Sequence, residues 1–179
     1  MRKEVRIAGF GGQGIGLAGY ILGKALALYD GREAVMTQSY GPEARGGASS
    51  ANIIVSDREI AYPFVQQPDI LVAMSQEAYA KYYPTVRADG LILIDSDLVT
   101  PEDVKGHYFI PATQLAEDCG RRIVANMVML GYFCVVTNLV RRKAMEKAID
   151  TTVKPKTKAL NLKAFATGTE FGTRELSRS

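Results

Sequence analysis

Apolar and polar positions along the chain alternate between two periods. Val5-Arg6-Ile7-Ala8 reads as a strand, and after a cluster of glycines over 9–16 the apolar residues of 17–28 recur at helical spacing. A second strand is predicted over 34–37, entered through the turn signal Asp30-Gly31. Residues 50–55 are strand-like, and 59–65 reads as a small pairing strand broken at Pro63. Ile70-Leu71-Val72-Ala73 and Leu91-Ile92-Leu93-Ile94 are unbroken apolar runs, the pattern of strands covered on both faces of a parallel sheet. Between them Ser75 is placed to cap a helix that carries Glu77 in its first turn and stops at Pro84. A short strand is predicted over 108–110, a long helix over 121–138, and closing helices over 143–149 and 156–171, with Pro155 at the first turn of the last. Strands alternating with helices predict one α/β domain over 1–179. Its sheet is doubly wound, mostly parallel and Rossmann-like, followed by C-terminal helices.

Gly9-Phe10-Gly11-Gly12-Gln13-Gly14 satisfies the G-x-G-x-x-G pattern between a strand and a helix. Glycines there permit a tight turn and let backbone N–H groups and a helix N-terminus approach an anion. An NAD site also wants Asp or Glu at the end of the second strand, and that strand ends Thr37-Gln38-Ser39. The turn therefore either packs strand on helix or receives some other ligand or partner, and the sequence weighs these equally. A second polar, glycine-rich segment, Ser39-Tyr40-Gly41-Pro42-Glu43-Ala44-Arg45-Gly46-Gly47, follows the second strand. Arg45 offers a planar fork for a carboxylate or phosphate, Glu43 is placed to orient it, and Gly46 and Gly47 would let another backbone come close. A solvated loop with a surface ion pair is the alternative. The two segments are expected side by side, as the ends of neighbouring strands.

Other features read as structure. His107 has no nucleophile or acid arranged around it and is expected in a surface loop, and Tyr79, Tyr82 and Tyr83 fit a core-facing helix. The run 123–136 is apolar around its whole circumference except at Asn126. Such a helix needs cover on several sides, so a partner chain is expected on it, with Asn126 facing a polar partner or an active site.

Composition narrows the classes. Length 179, 47% hydrophobic and 23% charged residues suit one buried core. The net charge of +3 is concentrated in 151–179, a basic helix and tail carrying +4. Only Phe165 and Phe171 interleave its cations, which speaks against nucleic acid. Two cysteines, Cys119 and Cys134, are too few for an iron–sulfur cluster and wrongly spaced for a zinc knuckle. The start of the chain runs directly into a strand pattern, and the longest apolar run falls short of the roughly 20 residues of a spanning helix. A cytoplasmic protein with no membrane segment is expected.

The G-G-Q-G turn and the A-R-G-G loop in this order, with Ala125-Asn126-Met127 and the closing helix over 160–172, resemble the gamma subunits of the 2-oxoacid:ferredoxin oxidoreductases. The resemblance covers nearly the whole chain. The wording of 38–45 is most similar to the 2-oxoglutarate type, the pyruvate and 2-oxoisovalerate types being alternatives. It implies a subunit, inactive alone, of an enzyme that converts a 2-oxoacid and coenzyme A to acyl-CoA and carbon dioxide with reduction of ferredoxin. Thiamine diphosphate, magnesium and iron–sulfur clusters would sit in alpha, beta and possibly delta subunits, because this chain lacks the G-D-G…N-N signature and the cysteines. Candidate cofactor-binding or subunit-facing residues are Gly9, Gly11, Gly12, Gln13, Gly14, Ser39, Tyr40, Gly41, Glu43, Arg45, Gly46, Gly47 and Asn126, with no catalytic or metal-binding residue. A free-standing nucleotide- or flavin-binding regulatory module is the competing class.

Overall fold

The computed structural model describes residues 1–40 and 47–179. Six strands form one sheet: β1 (Arg2–Phe10), β2 (Glu33–Ser39), β3 (Ala48–Ser56), β4 (Ile70–Ala73), β5 (Leu91–Asp95) and β6 (His107–Ile110). Their order is β2-β3-β1-β4-β5-β6, with β1, β4, β5 and β6 mutually parallel. β3 runs antiparallel to both β1 and β2 and stands between them, so the first two strands are not neighbours as expected. The stretch from Ser39 to Ala48 is too short for the crossover that a parallel pair needs, and antiparallel pairing is what remains. Residues 59–65 form no strand. Pro63 and Pro68 withhold backbone donors there, and the segment is held from below by Arg2 and Arg6, which donate to the carbonyls of Tyr62 and Val65.

Helices cover both faces, unequally. On one face α2 (Gln76–Tyr82), capped by Ser75 as predicted, buries Tyr79 and Tyr82 beside Leu71, Ile92 and Ile94. Arg6 points to this face too, with its Nε 2.7 Å from Asn52 Oδ1 and its guanidinium 4.7 Å from the Tyr82 ring centre. Burial lowers its pKa. The opposite face carries α1 (Ile15–Lys24), α3 (Ala112–Cys119), α4 (Ala125–Thr137), α5 (Arg142–Asp150) and α6 (Lys158–Ser177). α3 was not predicted, although Gly120 at φ 129 ends it in the usual way.

The long apolar helix resolves into a 3₁₀ turn over Arg122–Val124 and then α4, in which every residue from Ala125 to Cys134 is buried. No second chain is needed for this burial, contrary to expectation. α6 supplies the missing cover, and the basic tail turns out to be largely this covering helix, which buries Ala164, Phe165, Gly168 and Thr169. Contact is backbone to backbone: a Cβ on Gly131 would lie 2.1 Å from the Phe165 carbonyl oxygen, and one on Gly168 1.9 Å from that of Val128. No described helix is long and apolar enough to cross a membrane.

Because neither backbone can yield without separating the helices, Gly168→Ala is expected to cost about 3 kcal/mol or more, the upper part of the range for overpacking. That corresponds to roughly 6–12 °C in melting temperature for a chain of this size. Thermal unfolding followed by circular dichroism checks it, and a shift under about 2 °C would show that the crossing has slack.

Candidate functional site

β1 ends at Phe10, and the four residues before α1 make a turn that only glycine accommodates at two positions, Gly12 at φ 89 and Gly14 at φ 70. Gln13 points inward. Its Oε1 accepts from the Phe10 N–H at 2.7 Å and its Nε2 donates to the Met74 carbonyl at 2.8 Å, so one carboxamide bridges the ends of β1 and β4. Gly9 has to be glycine because a Cβ there would lie 2.3 Å from that Oε1. Gly14 is held from the other side, its carbonyl accepting from Asn126 Nδ2 at 3.1 Å.

The bridge changes where a ligand can go. In open α/β sheets ligands sit where successive crossovers diverge, here between β1 and β4. Gln13 crosses that crevice and leaves a pocket of about 210 Å³ beside it, lined by Gly12, Met74, Thr113 and Arg122 among others. A larger space lies on the other side of the turn, in a cleft of about 570 Å³ between the starts of α1, α4 and α6. Gly11, Gly12 and Gly14 form one wall, Val124 and Asn126 a second, and Thr157, Leu160 and Asn161 a third. Phe10, Leu17, Tyr40 and Ile123 stand half-exposed or exposed at its rim.

Three helical segments begin at or beside this cleft, at Gly14, Arg121 and Lys154, and none has a side-chain cap. Their starts carry the positive ends of the helix dipoles, about half a charge each, although Pro155 supplies no N–H to the third. Arg121 is the only formally charged residue among the described lining residues. Its exposed side chain makes no ion pair with any described residue. The arrangement favours an anion, and the described lining residues include no carboxylate, histidine or thiol.

Of the sequence candidates, Gly9, Gly11, Gly12, Gln13, Gly14 and Asn126 are brought together in or behind the turn. Ser39 ends β2 opposite Ser50, while Tyr40, 75% exposed, lines the cleft with its hydroxyl donating to Gln38. Gly47 is described, at φ 95; Gly41, Glu43, Arg45 and Gly46 lie outside the described residues. Ser49, the register partner of Gly9, brings the start of β3 to the cleft. Sequence reasoning missed Arg121, Thr157 and Asn161, whose only signal was position at the starts of predicted helices. It also missed Asp95, a fully buried carboxylate at the end of β5. Asp95 accepts from the Thr113 hydroxyl at 2.6 Å and the Asp97 N–H at 3.1 Å and so anchors the start of α3. Burial raises its pKa, so ionisation opposes folding and its stabilising effect declines as pH rises through that raised value.

His107 is no loop residue. It opens β6, where Nδ1 donates to the Lys105 carbonyl at 2.7 Å and Nε2 accepts from the Tyr79 hydroxyl at 3.0 Å, leaving neither nitrogen for catalysis. Cys134 is buried, and burial pushes its thiol up to about 12. No group of three His, Cys, Asp or Glu able to hold a metal occurs among the described residues. The residues present do not fit thiamine diphosphate with its magnesium, nor an iron–sulfur cluster.

A comparison with protein families matches residues 4–171 to the pyruvate ferredoxin/flavodoxin oxidoreductases. The chain belongs to this family. It is 53% identical to the 2-oxoglutarate synthase subunit KorC of Methanocaldococcus jannaschii over 95% of this chain and 94% of that one. The solved gamma subunit of a keto/oxoacid ferredoxin oxidoreductase from Geobacter sulfurreducens superposes with a TM-score of 0.87, at 41% identity over 97% of this chain and 98% of that one. The fold also recurs in the 2-oxoglutarate:ferredoxin oxidoreductase of Magnetococcus marinus, solved with 2-oxoglutarate, coenzyme A and succinyl-CoA bound. That likeness, one of fold, has a TM-score of 0.86 at 23% identity and covers 97% of this chain and 31% of that one. The resemblance read from the two glycine motifs holds.

Replacing Gln13 by Ala would strand the Phe10 N–H and the Met74 carbonyl together, an expected cost of roughly 2 kcal/mol. The melting temperature should fall by about 4–8 °C. An unchanged melting temperature would mean that water replaces the carboxamide and the bridge is dispensable.

Proposed function

We propose that this chain is the gamma-type subunit of a 2-oxoglutarate:ferredoxin oxidoreductase and that its cleft receives the anionic end of coenzyme A. The observation that carries the second half is the convergence of three uncapped helix starts and Arg121 on one cleft. Coenzyme A is a polyanion with a long flexible arm, so a subunit can hold its phosphates while the thiol reaches a centre elsewhere. The substrate rests on the KorC relative and on the wording of 38–45. The likeness to a fold solved with coenzyme A bound agrees with it.

In this reading decarboxylation and electron transfer belong to alpha, beta and possibly delta subunits, which carry thiamine diphosphate, magnesium and iron–sulfur clusters, with ferredoxin as acceptor. This chain binds and orients: the glycine turn presents N–H groups, the three helix ends set a positive potential, and the half-exposed rim of Phe10, Leu17 and Ile123 sheds water when a neighbouring subunit closes on it. The complex is cytoplasmic, in keeping with two unpaired cysteines. A regulatory module that holds a dinucleotide or flavin at the switch point is disfavoured, because Gln13 bridges the strand ends there and leaves a pocket of only about 210 Å³.

The purified chain alone is expected to reduce neither ferredoxin nor viologen with any 2-oxoacid. Reconstituted with its partners it should turn over 2-oxoglutarate, and faster turnover of pyruvate would overturn the substrate half. Arg121→Glu should raise the KM for coenzyme A roughly 10- to 100-fold, the value of a charge-assisted contact. The KM for 2-oxoglutarate should not move, and an unaltered KM for coenzyme A would remove the cleft from the reading.

A further inference from the structure

We infer that Asn126 is the positioning residue of the cleft, a role that rests on the reading of this cleft as a coenzyme A site. Asn126 is 3% exposed and stands in the first turn of α4, at the back of the cleft. It lines the cleft wall, but both of its hydrogen bonds go to backbone and none to the open space. Its Nδ2 donates to the Gly14 carbonyl at 3.1 Å, while its Oδ1 accepts from the Met127 N–H at 2.9 Å. The same Gly14 carbonyl accepts from the Ala18 N–H at 3.0 Å, the first bond inside α1. One carboxamide thus ties the starts of α1 and α4 together, at the residue from which α1 departs.

The coupling is tight on both sides. Gly14 has φ 70, and a Cβ there would lie 2.4 Å from Asn126 Nδ2, so the residue that caps α1 is shaped for this contact. Gly12, two residues earlier, also has positive φ, but nothing lies within 4 Å of where its Cβ would be, and no described contact steadies it from the cleft side. The turn between Phe10 and Gly14 is closed by the Gln13 N–H donating to the Phe10 carbonyl at 3.3 Å, and among the described residues it is tied to its surroundings by the Gln13 side chain behind and by Asn126 in front. Gln13 ties the turn to the sheet. Asn126 ties it to the second helix start, and with it sets how the free N–H groups of Gly11 and Gly12 and those of α4 point relative to one another. An anion that spans both sets needs that relation held before it binds, because ordering it on binding would weaken affinity.

The test uses the reconstituted complex with coenzyme A as the varied substrate. Asn126→Ala is expected to raise the KM for coenzyme A about tenfold, with kcat within about twofold and the KM for 2-oxoglutarate unchanged. A merely structural defect would instead lower the fraction of assembled enzyme and hence kcat, leaving the KM alone. Asn126→Leu keeps the volume, adds no charge to the cleft wall and cannot donate to Gly14, and it should show the same split should the alanine variant fail to assemble. A wild-type KM for coenzyme A in either assembled variant overturns the inference. Arg121→Ala separates the two levels. If it raises that KM while the Asn126 variants do not, only the positioning role fails; if none of the three moves it, the coenzyme A reading of the cleft fails first.

Discussion

A helix with no polar face must be covered all the way round, and that constraint on α4 arranges everything near the site. The sheet covers one side and α6 the other, at a separation that leaves no room for a Cβ on Gly131 or Gly168. Close approach of this kind replaces side-chain interdigitation with dispersion between backbones and fixes the relative travel of the two helices along their axes. Because α6 is pinned at Gly168, its start three turns earlier is carried to the start of α4, and the 3₁₀ turn over Pro155–Thr157 comes to rest beside the glycine turn. The cleft is in this sense a product of core packing. A chain with the same glycine turn and a looser crossing would have the first wall of the cleft without the third.

The second determinant is a single carboxamide. A strand, a glycine turn and a helix are the opening of a dinucleotide site, and the physics of that opening is general: free N–H groups, a dipole, no Cβ in the way. Gln13 narrows the space in which a pyrophosphate would lie to a pocket of about 210 Å³ and commits its donor and acceptor to the sheet. The turn keeps its anion-attracting character but shows it to the side that faces α4 and α6. Two elements that share a motif can thus face different ligands, depending on which way one side chain points.

Legibility in the sequence followed the range of the forces concerned. β4 and β5 were plain because four consecutive apolar residues bounded by turn signals have few other uses, and α2 was plain because Ser75, Glu77 and Pro84 act within a few residues of one another. The place of β3 was not legible from its own residues, which are strand-like in either direction; the shortness of the connection after Ser39 accounts for its antiparallel pairing with β2 but not for its place beside β1. α3 was overlooked because only Ala112, Thr113 and Ala116 of its eight residues are buried, too few to show a period. The apolar circumference of α4 was read correctly and its cover wrongly, since the glycines that allow α6 to approach lie more than 30 residues away and carry no hydrophobic signal. For the site, the glycine turn and Asn126 could be singled out by motif. Arg121, Thr157 and Asn161 belong to it only through the packing of helices far apart in sequence.

A binding surface built in this way has a particular electrostatic character. The described lining of the cleft contains no carboxylate and no histidine, and its positive potential comes from an arginine and from backbone dipoles. Each helix end contributes about half a charge at a fixed position, so three of them exceed the single guanidinium, and unlike a lysine cluster they lose no rotamer entropy when a ligand arrives. Under the proposed function such a surface would hold the phosphates of a polyanion without offering a proton to them or taking one. A described cleft without carboxylate or histidine accords with that proposal, in which this chain holds the ligand and the chemistry proceeds at a centre in other chains.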